Sequence, residues 1–145
     1  MAGASVGAHM SEQGGDFISV VIPAKNEGAN LPAVFAELGT ALAGRRFEVI
    51  LVDDGSTDDT AAIVRGERKK HPFAITHLRH DRSTGKSLAL RTGVFAAKGN
   101  LVATIDGDGQ NNPVHVAELV DAIVAGGPDV GIAVGQRLKR GDSDL

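Results

Sequence analysis

Cysteine, tryptophan and tyrosine are missing from this chain of 145 residues, and five phenylalanines supply all its benzene rings. Without Cys there are no disulfides and no thiolate metal site; a reducing compartment is allowed. The formal charge of −3 gives no reason to expect a nucleic-acid partner. No apolar run approaches the ~18–20 residues of a membrane span, so no transmembrane segment is expected. Residues 1–15 lack the basic start and apolar block of a signal peptide. Rich in Gly, Ala and Ser, they read as a disordered leader or tag.

What is present is enough for one domain with a real core. Much of the apolar content is Ala and Val, small residues that suit helices packed closely on a parallel sheet. Phe17–Ile22 is a first strand, ended by Pro23. Leu31, Val34, Phe35, Leu38 and Leu42 then recur at helical spacing up to Gly44. Phe47–Val52 is a second strand, Thr57–Arg68 a helix, Phe73–Leu78 a third strand and Gly85–Lys98 another helix. Leu101–Ile105 is a fourth strand. Asn112-Pro113 is a helix start, an N-cap followed by Pro at the first position. Val116, Leu119, Val120, Ile123 and Val124 form that helix's buried stripe, and Asp129–Val134 is a fifth strand. The alternation predicts an α/β domain over residues 16–137, a parallel doubly wound sheet with helices on both faces. Residues 138–145 are a polar tail.

Ligands on such sheets bind at the carboxyl ends of the strands, near the point where strand order reverses. Three polar segments fall there: Pro23–Glu27, Asp53–Asp58 and Asp106–Gln110. In an extended chain, residues two apart point the same way, roughly 6.6–6.8 Å from one another. Asp106, Asp108 and Gln110 therefore present oxygens to one side. Such a set suits Mg²⁺ or Mn²⁺, and a metal bridging a diphosphate neutralises charge on the leaving group. The alternative is an Asp/Gly-rich turn capping the next helix; the position after an apolar strand favours the metal.

The carboxylates of Asp53-Asp54 can accept hydrogen bonds from a base or a ribose, and Ser56 or Thr57 can cap the helix that follows. Adjacent residues of a strand face opposite ways, which favours Asp54 as the one aimed into the site. Glu27 can bind ribose or base, and Asn26 can tie its loop down. Both segments also fit plain strand–turn–helix junctions. Gly85-Lys86-Ser87 invites a rival phosphate-loop reading, but His80 stands where that motif needs Gly. Lys86 remains a candidate for attracting phosphates. Arg137, in Gly135-Gln136-Arg137, can clamp a diphosphate or stand as a solvated charge. The five His residues are scattered without zinc-site spacing and are assigned no role.

Taken in order, Val20–Glu27, Val52–Asp58, Gly85–Ala89, Asp106–Pro113 and Gly135–Arg137 resemble the family 2 glycosyltransferases with the GT-A fold. They look closest to polyprenyl-phosphate sugar transferases of the dolichol-phosphate mannose synthase type. The resemblance implies that Pro23, Asn26, Glu27 and Asp54 line a nucleoside pocket, with Ala24, Asp53, Ser56 and Lys86 as further donor-binding candidates. It makes Asp106 and Asp108 the metal and diphosphate residues, catalytic in that sense, with Gln110 as a further ligand and Arg137 on the diphosphate. It also implies an inverting transfer from a GDP- or UDP-sugar to a polyprenyl phosphate at the cytoplasmic membrane face. Lys25 stands where relatives often have Tyr or His, and Gly107 and Gly109 replace the more usual Ala and Leu. Relatives continue well beyond the Gly-x-Arg segment, so the chain is expected to be mainly the donor-binding half. Two alternatives are a non-catalytic nucleotide-sugar-binding fragment and, less favoured, a P-loop phosphohydrolase or kinase. Apolar surface exposed by a missing half would favour a homo-oligomer.

Overall fold

A computed structural model describes residues 5–8, 15–107, 113–126 and 132–134. The strands are β1 (Ser5–Ala8), β2 (Phe17–Ala24), β3 (Arg46–Asp53), β4 (Ala74–Arg79), β5 (Leu101–Thr104) and β6 (Ile132–Val134). The helices are α1 (Leu31–Ala41), α2 (Thr60–Arg68), α3 (Lys86–Ala96) and α4 (Val114–Gly126), with a short 3₁₀ turn at Gly28–Asn30 before α1. The strands form one sheet in the order β4-β3-β2-β5-β1-β6. β4, β3, β2 and β5 run parallel, as the alternating pattern predicts, and β1 is antiparallel to both β5 and β6.

The reversal of strand order lies at β2. From β2 the chain goes first to β3 and β4 on one side, then returns through α3 to β5 on the other. The carboxyl ends of β2 and β5 thus diverge into separate loops, which opens a crevice between them.

The strands read as unbroken apolar runs because both faces are covered. One face carries Ile18, Val20, Ile22, Val49, Leu51, Leu101, Ala103 and Ile105. Onto it pack Leu31, Val34, Phe35 and Leu38 of α1, Val64 of α2, and Val116, Val120 and Ile123 of α4. Each fully buried Val, Leu, Ile or Phe contributes roughly 1.5–3 kcal/mol. The other face is thinner. There Val21, Ile50 and Val52 meet α3 through Ala89, with Leu90, Ala96 and Ala97 at the margin. A Cβ on Gly93 would stand 2.3 Å from Val21 Cγ1, so the absent side chain sets how near α3 lies to the sheet. The turn after α3 is fastened from inside. Ser19 Oγ donates to buried Glu48 at 2.7 Å, while the Lys98 and Gly99 amides donate to Glu48 and Ser19.

Several boundaries differ from expectation for identifiable reasons. Ser5–Ala8 is a strand between β5 and β6, where an unstructured leader was expected; its place is earned by backbone pairing, which composition does not reveal. Pro23 does not end β2, which continues to Ala24 beside Asp53. Its missing N–H faces the β5 side, where β5 has already ended at Thr104, so no ladder bond is lost. α2 starts at Thr60 instead of Thr57, because the amides of Thr57 and Asp58 donate to the Asn26 side chain. The expected fifth strand is present as Ile132–Val134. The Asn112 cap lies outside the described residues, and α4 begins just after Pro113.

Candidate active site

β2 and β3 end side by side, Ala24 opposite Asp53, and the Asp54 amide donates to the Ala24 carbonyl at 2.8 Å. On the other side of β2, the Ile105 amide donates to Val21 O at 3.1 Å, which delivers Asp106 to the end of β2. These ends, with the start of α3, enclose a cleft of about 410 Å³ lined by Pro23, Ala24, Glu27, Asp54, Lys86 and Asp106. Lys25, Ser83, Gly85, Ala89 and Gly107 complete the walls. The cleft thus sits at the crevice that the strand order predicts.

The two adjacent aspartates are separated as strand alternation requires. Asp53 is fully buried, off the lining, and accepts from the Ser56 amide at 2.8 Å and pairs with His77 Nε2 at 3.0 Å. Burial pushes its carboxyl up, but the bonds from Ser56 and His77 outweigh this and hold it below the usual carboxylate range. Asp54 reaches the cleft wall, yet its oxygens are well occupied. They accept from the Thr84 amide at 2.8 Å, the Gly85 amide at 2.9 Å, the Thr84 hydroxyl at 2.8 Å and the Ser83 hydroxyl at 3.1 Å. His80 Nδ1 lies 3.0 Å away. Desolvation opposes its charge, but the Thr84, His80 and Gly85 donors win and hold its carboxyl far below the ordinary value. Asp54 is therefore the internal anion around which the loop before α3 is folded.

That arrangement answers the phosphate-loop reading. The Thr84 and Gly85 amides that a phosphate would need are already engaged by Asp54. Gly55 makes the close approach possible. It has φ 79°, and a Cβ there would stand 2.7 Å from the Ser83 amide nitrogen.

The loops after β2 and β3 are joined by Asn26. Its left-handed φ of 53° turns the side chain toward the second loop, where Oδ1 accepts from the Thr57 amide at 2.8 Å and the Asp58 amide at 3.2 Å. The Asn26 amide donates to Ser56 Oγ at 2.9 Å, and the Gly28 amide donates to Asp58 Oδ2 at 3.1 Å. Glu27 stays on the cleft, accepting from Asn30 Nδ2 at 2.7 Å.

Asp106 forms an ion pair with Lys86, its side chain 16% exposed and that of Lys86 57% exposed. A partly open carboxylate at a strand end is a suitable hard ligand for a cation. Among the described residues no three His, Asp or Glu side chains gather into a metal cage. Asp108, Gln110 and Arg137 lie outside the described residues.

Of the expected donor-site residues, Pro23, Ala24, Glu27, Asp54, Lys86 and Asp106 share one cleft. Asn26, Asp53 and Ser56 stand behind it and brace its loops. Two histidines assigned no role from the sequence, His77 and His80, hold the two aspartates. Their signal is visible only once β4 is aligned on β3, which sets His77 beside Leu51 and Arg79 beside Asp53.

The sequence profile of glycosyl transferase family 2 matches residues 19–145. The undecaprenyl-phosphate 4-deoxy-4-formamido-L-arabinose transferase of Pseudomonas paraeruginosa is 36% identical over 118 residues, 80% of this chain and 35% of that protein. The chain thus spans about a third of the length of the curated relatives it matches. Among solved structures, glucosyl-3-phosphoglycerate synthase from Mycobacterium tuberculosis in complex with UDP superposes with a TM-score of 0.64 at 30% identity, covering 78% of this chain and 42% of that one. The mannosyltransferase PcManGT from Pyrobaculum calidifontis, in complex with GDP-Man and Mn²⁺, gives 0.61 at 28% identity, covering 73% and 33%.

Proposed function

The chain belongs to glycosyl transferase family 2, and from that premise we propose that it is the donor-binding half of an enzyme moving a sugar from a GDP- or UDP-sugar to a polyprenyl phosphate. The observation that carries this reading is the single cleft in which Glu27, Asp54, Lys86 and Asp106 meet at the reversal of strand order. The names of the relatives support the acceptor class, and UDP and GDP-Man in the similar structures support the donor class.

In this reading the nucleoside lies against Pro23, Ala24 and Glu27, with Asp54 shaping the wall beside it. Lys86 offers its ammonium to the diphosphate. Asp106 and Asp108, with Gln110, would hold a divalent cation, Mg²⁺ or Mn²⁺, and the oxygen chemistry of Asp106 at the cleft fits such an ion. The bound cation supplies neutralisation of the departing nucleoside diphosphate. Arg137 adds a second positive charge there. An acceptor phosphate oxygen attacks the anomeric carbon from the face opposite the leaving diphosphate. One C–O bond forms, one breaks, and the configuration inverts. Because the attacking oxygen is already anionic, no side chain need remove a proton.

No helix among the described residues is long and apolar enough to cross a membrane. In this proposal the lipid acceptor is met at a membrane surface, on the cytoplasmic side in the full-length protein. Calorimetry with UDP, GDP and ATP, each with and without Mn²⁺, tests the reading. UDP or GDP should bind with Mn²⁺, and Asp106→Asn should remove the metal-dependent part. Binding of ATP that is lost in Lys86→Ala but unaffected in Asp106→Asn would overturn it. Donor binding with no transfer by the 145 residues is the expected result for a binding half.

A further inference from the structure

We propose that the outer face of α3 is a docking surface for an anionic lipid bilayer. The inner side of α3 is closed against the sheet by Ala89 and Gly93. At about 100° per residue, Leu88, Arg91, Val94 and Phe95 fall on the opposite arc. All four are exposed, and among the described residues Phe95 is the barest large apolar side chain, 78% exposed, against 48% for Leu88 and 47% for Val94. The Arg91 guanidinium sits over the Phe95 ring at 5.4 Å, so the charge rides beside the apolar group.

The charge of this region says what covers it. From Arg82 to Ile105 the chain carries Arg82, Lys86, Arg91 and Lys98 and not one Asp or Glu, within a protein of net charge −3. Asp81, just before this segment, and Asp106, just after it, are the nearest acids in the chain, and Asp106 is paired with Lys86. Exposed Leu88, Val94 and Phe95 beside Arg91, in a segment without acids, suit contact with an anionic headgroup layer. α4 provides the contrast. It also exposes apolar side chains, Val114 and Val124, but its charged residues are Glu118 and Asp121, with no Lys or Arg. A second copy of this chain fits α3 poorly, because a two-fold contact sets the same cations against each other.

The inference extends the proposed lipid acceptor but rests on separate observations. α3 begins at Lys86, on the cleft, and Phe95 lies roughly 14 Å further along its axis. The exposed face thus runs from the cleft end of α3 toward the amino ends of the strands, where Gly99 meets Phe17 and Ser19.

The test is flotation of the full chain with vesicles of phosphatidylcholine alone or mixed with phosphatidylglycerol. Binding should require the anionic lipid and weaken with salt. Arg91→Gln should lower the partition coefficient roughly fivefold, and Phe95→Ser should lower it further, both with an unchanged thermal midpoint because the side chains are exposed. Equal binding to both vesicle types, or unaltered binding by both variants, overturns the proposal. So does concentration-dependent self-association that Phe95→Ser abolishes, since the face then belongs to a second copy. If a variant fails to fold, the lipid and salt dependence of the unaltered chain still decides. Nucleotide binding by calorimetry is independent of all these outcomes, so loss of one reading leaves the other standing.

Discussion

The two faces of the sheet are built on opposite rules. Three helices cover one face with large side chains, Phe35 and Leu38 among them, and its stability comes from filled volume. Among the described residues one helix, α3, covers the other, held close by Ala89 and Gly93, and there the limit is distance. The first face should therefore suffer from removing atoms and the second from adding them. The thick face is the scaffold, whereas the thin face carries the cleft wall, the Asp54-centred loop and the cationic surface of α3.

The largest expected effect tests the filled face. Phe35→Ala should cost roughly 3–5 kcal/mol in urea unfolding, because Phe35 is fully buried in the core. Gly93→Val comes next. Its added atoms have nowhere to go, because they meet Val21 and Val52, so a loss of roughly 2–3 kcal/mol is expected, with hydrogen-exchange changes confined to α3, β2 and β3. Equal tolerance of added volume on both faces would break the comparison.

A third test uses pH. Asp54 on the thin side, and Glu67 in α2 on the thick side, both titrate below their ordinary values in the folded chain. For Glu67, burial opposes ionisation and is outweighed by hydrogen bonds from His71 and Lys70. A lowered native value means that the unfolded chain binds protons first as pH falls. The stabilisation is thus fully present above about pH 5 and is lost as pH drops through the native values. Asp54→Asn should cost about 2 kcal/mol at neutral pH and flatten that acid limb; an unchanged limb would mean that Asp54 does not drive it. The smallest effect is a gain. Gly66, within α2, has open space where a Cβ would go, so Gly66→Ala should stabilise by roughly 0.5–1 kcal/mol.

Most of the scaffold was legible because it rests on local signals. The apolar runs at Val20–Ile22 and Val49–Val52 read as buried strands of a covered sheet, and the Leu31, Val34, Phe35 and Leu38 spacing reads as one helix face. Strand alternation was enough to place Asp54 on the cleft and Asp53 behind it. What stayed hidden depends on partners distant in the chain. The pairing of Ser5–Ala8 is made by backbone groups of β5 and β6. The bracing work of Asn26 needs the amides of Thr57 and Asp58, and the start of α2 shifts with it. His77 and His80 acquire meaning only through the register of β4 on β3.

Asn26 has a consequence for how a ligand would be received. One amide oxygen gathers donors from a loop some thirty residues away, and the same residue's amide is tied back to Ser56. The two strand-end loops thus move as one piece, and the floor of the cleft is shaped before anything enters it. Little ordering entropy is then left to spend on binding. Amide exchange at Asn26, Gly28, Ser56, Thr57, Asp58 and Thr60 should already be slow in the free protein and change little when nucleotide is added.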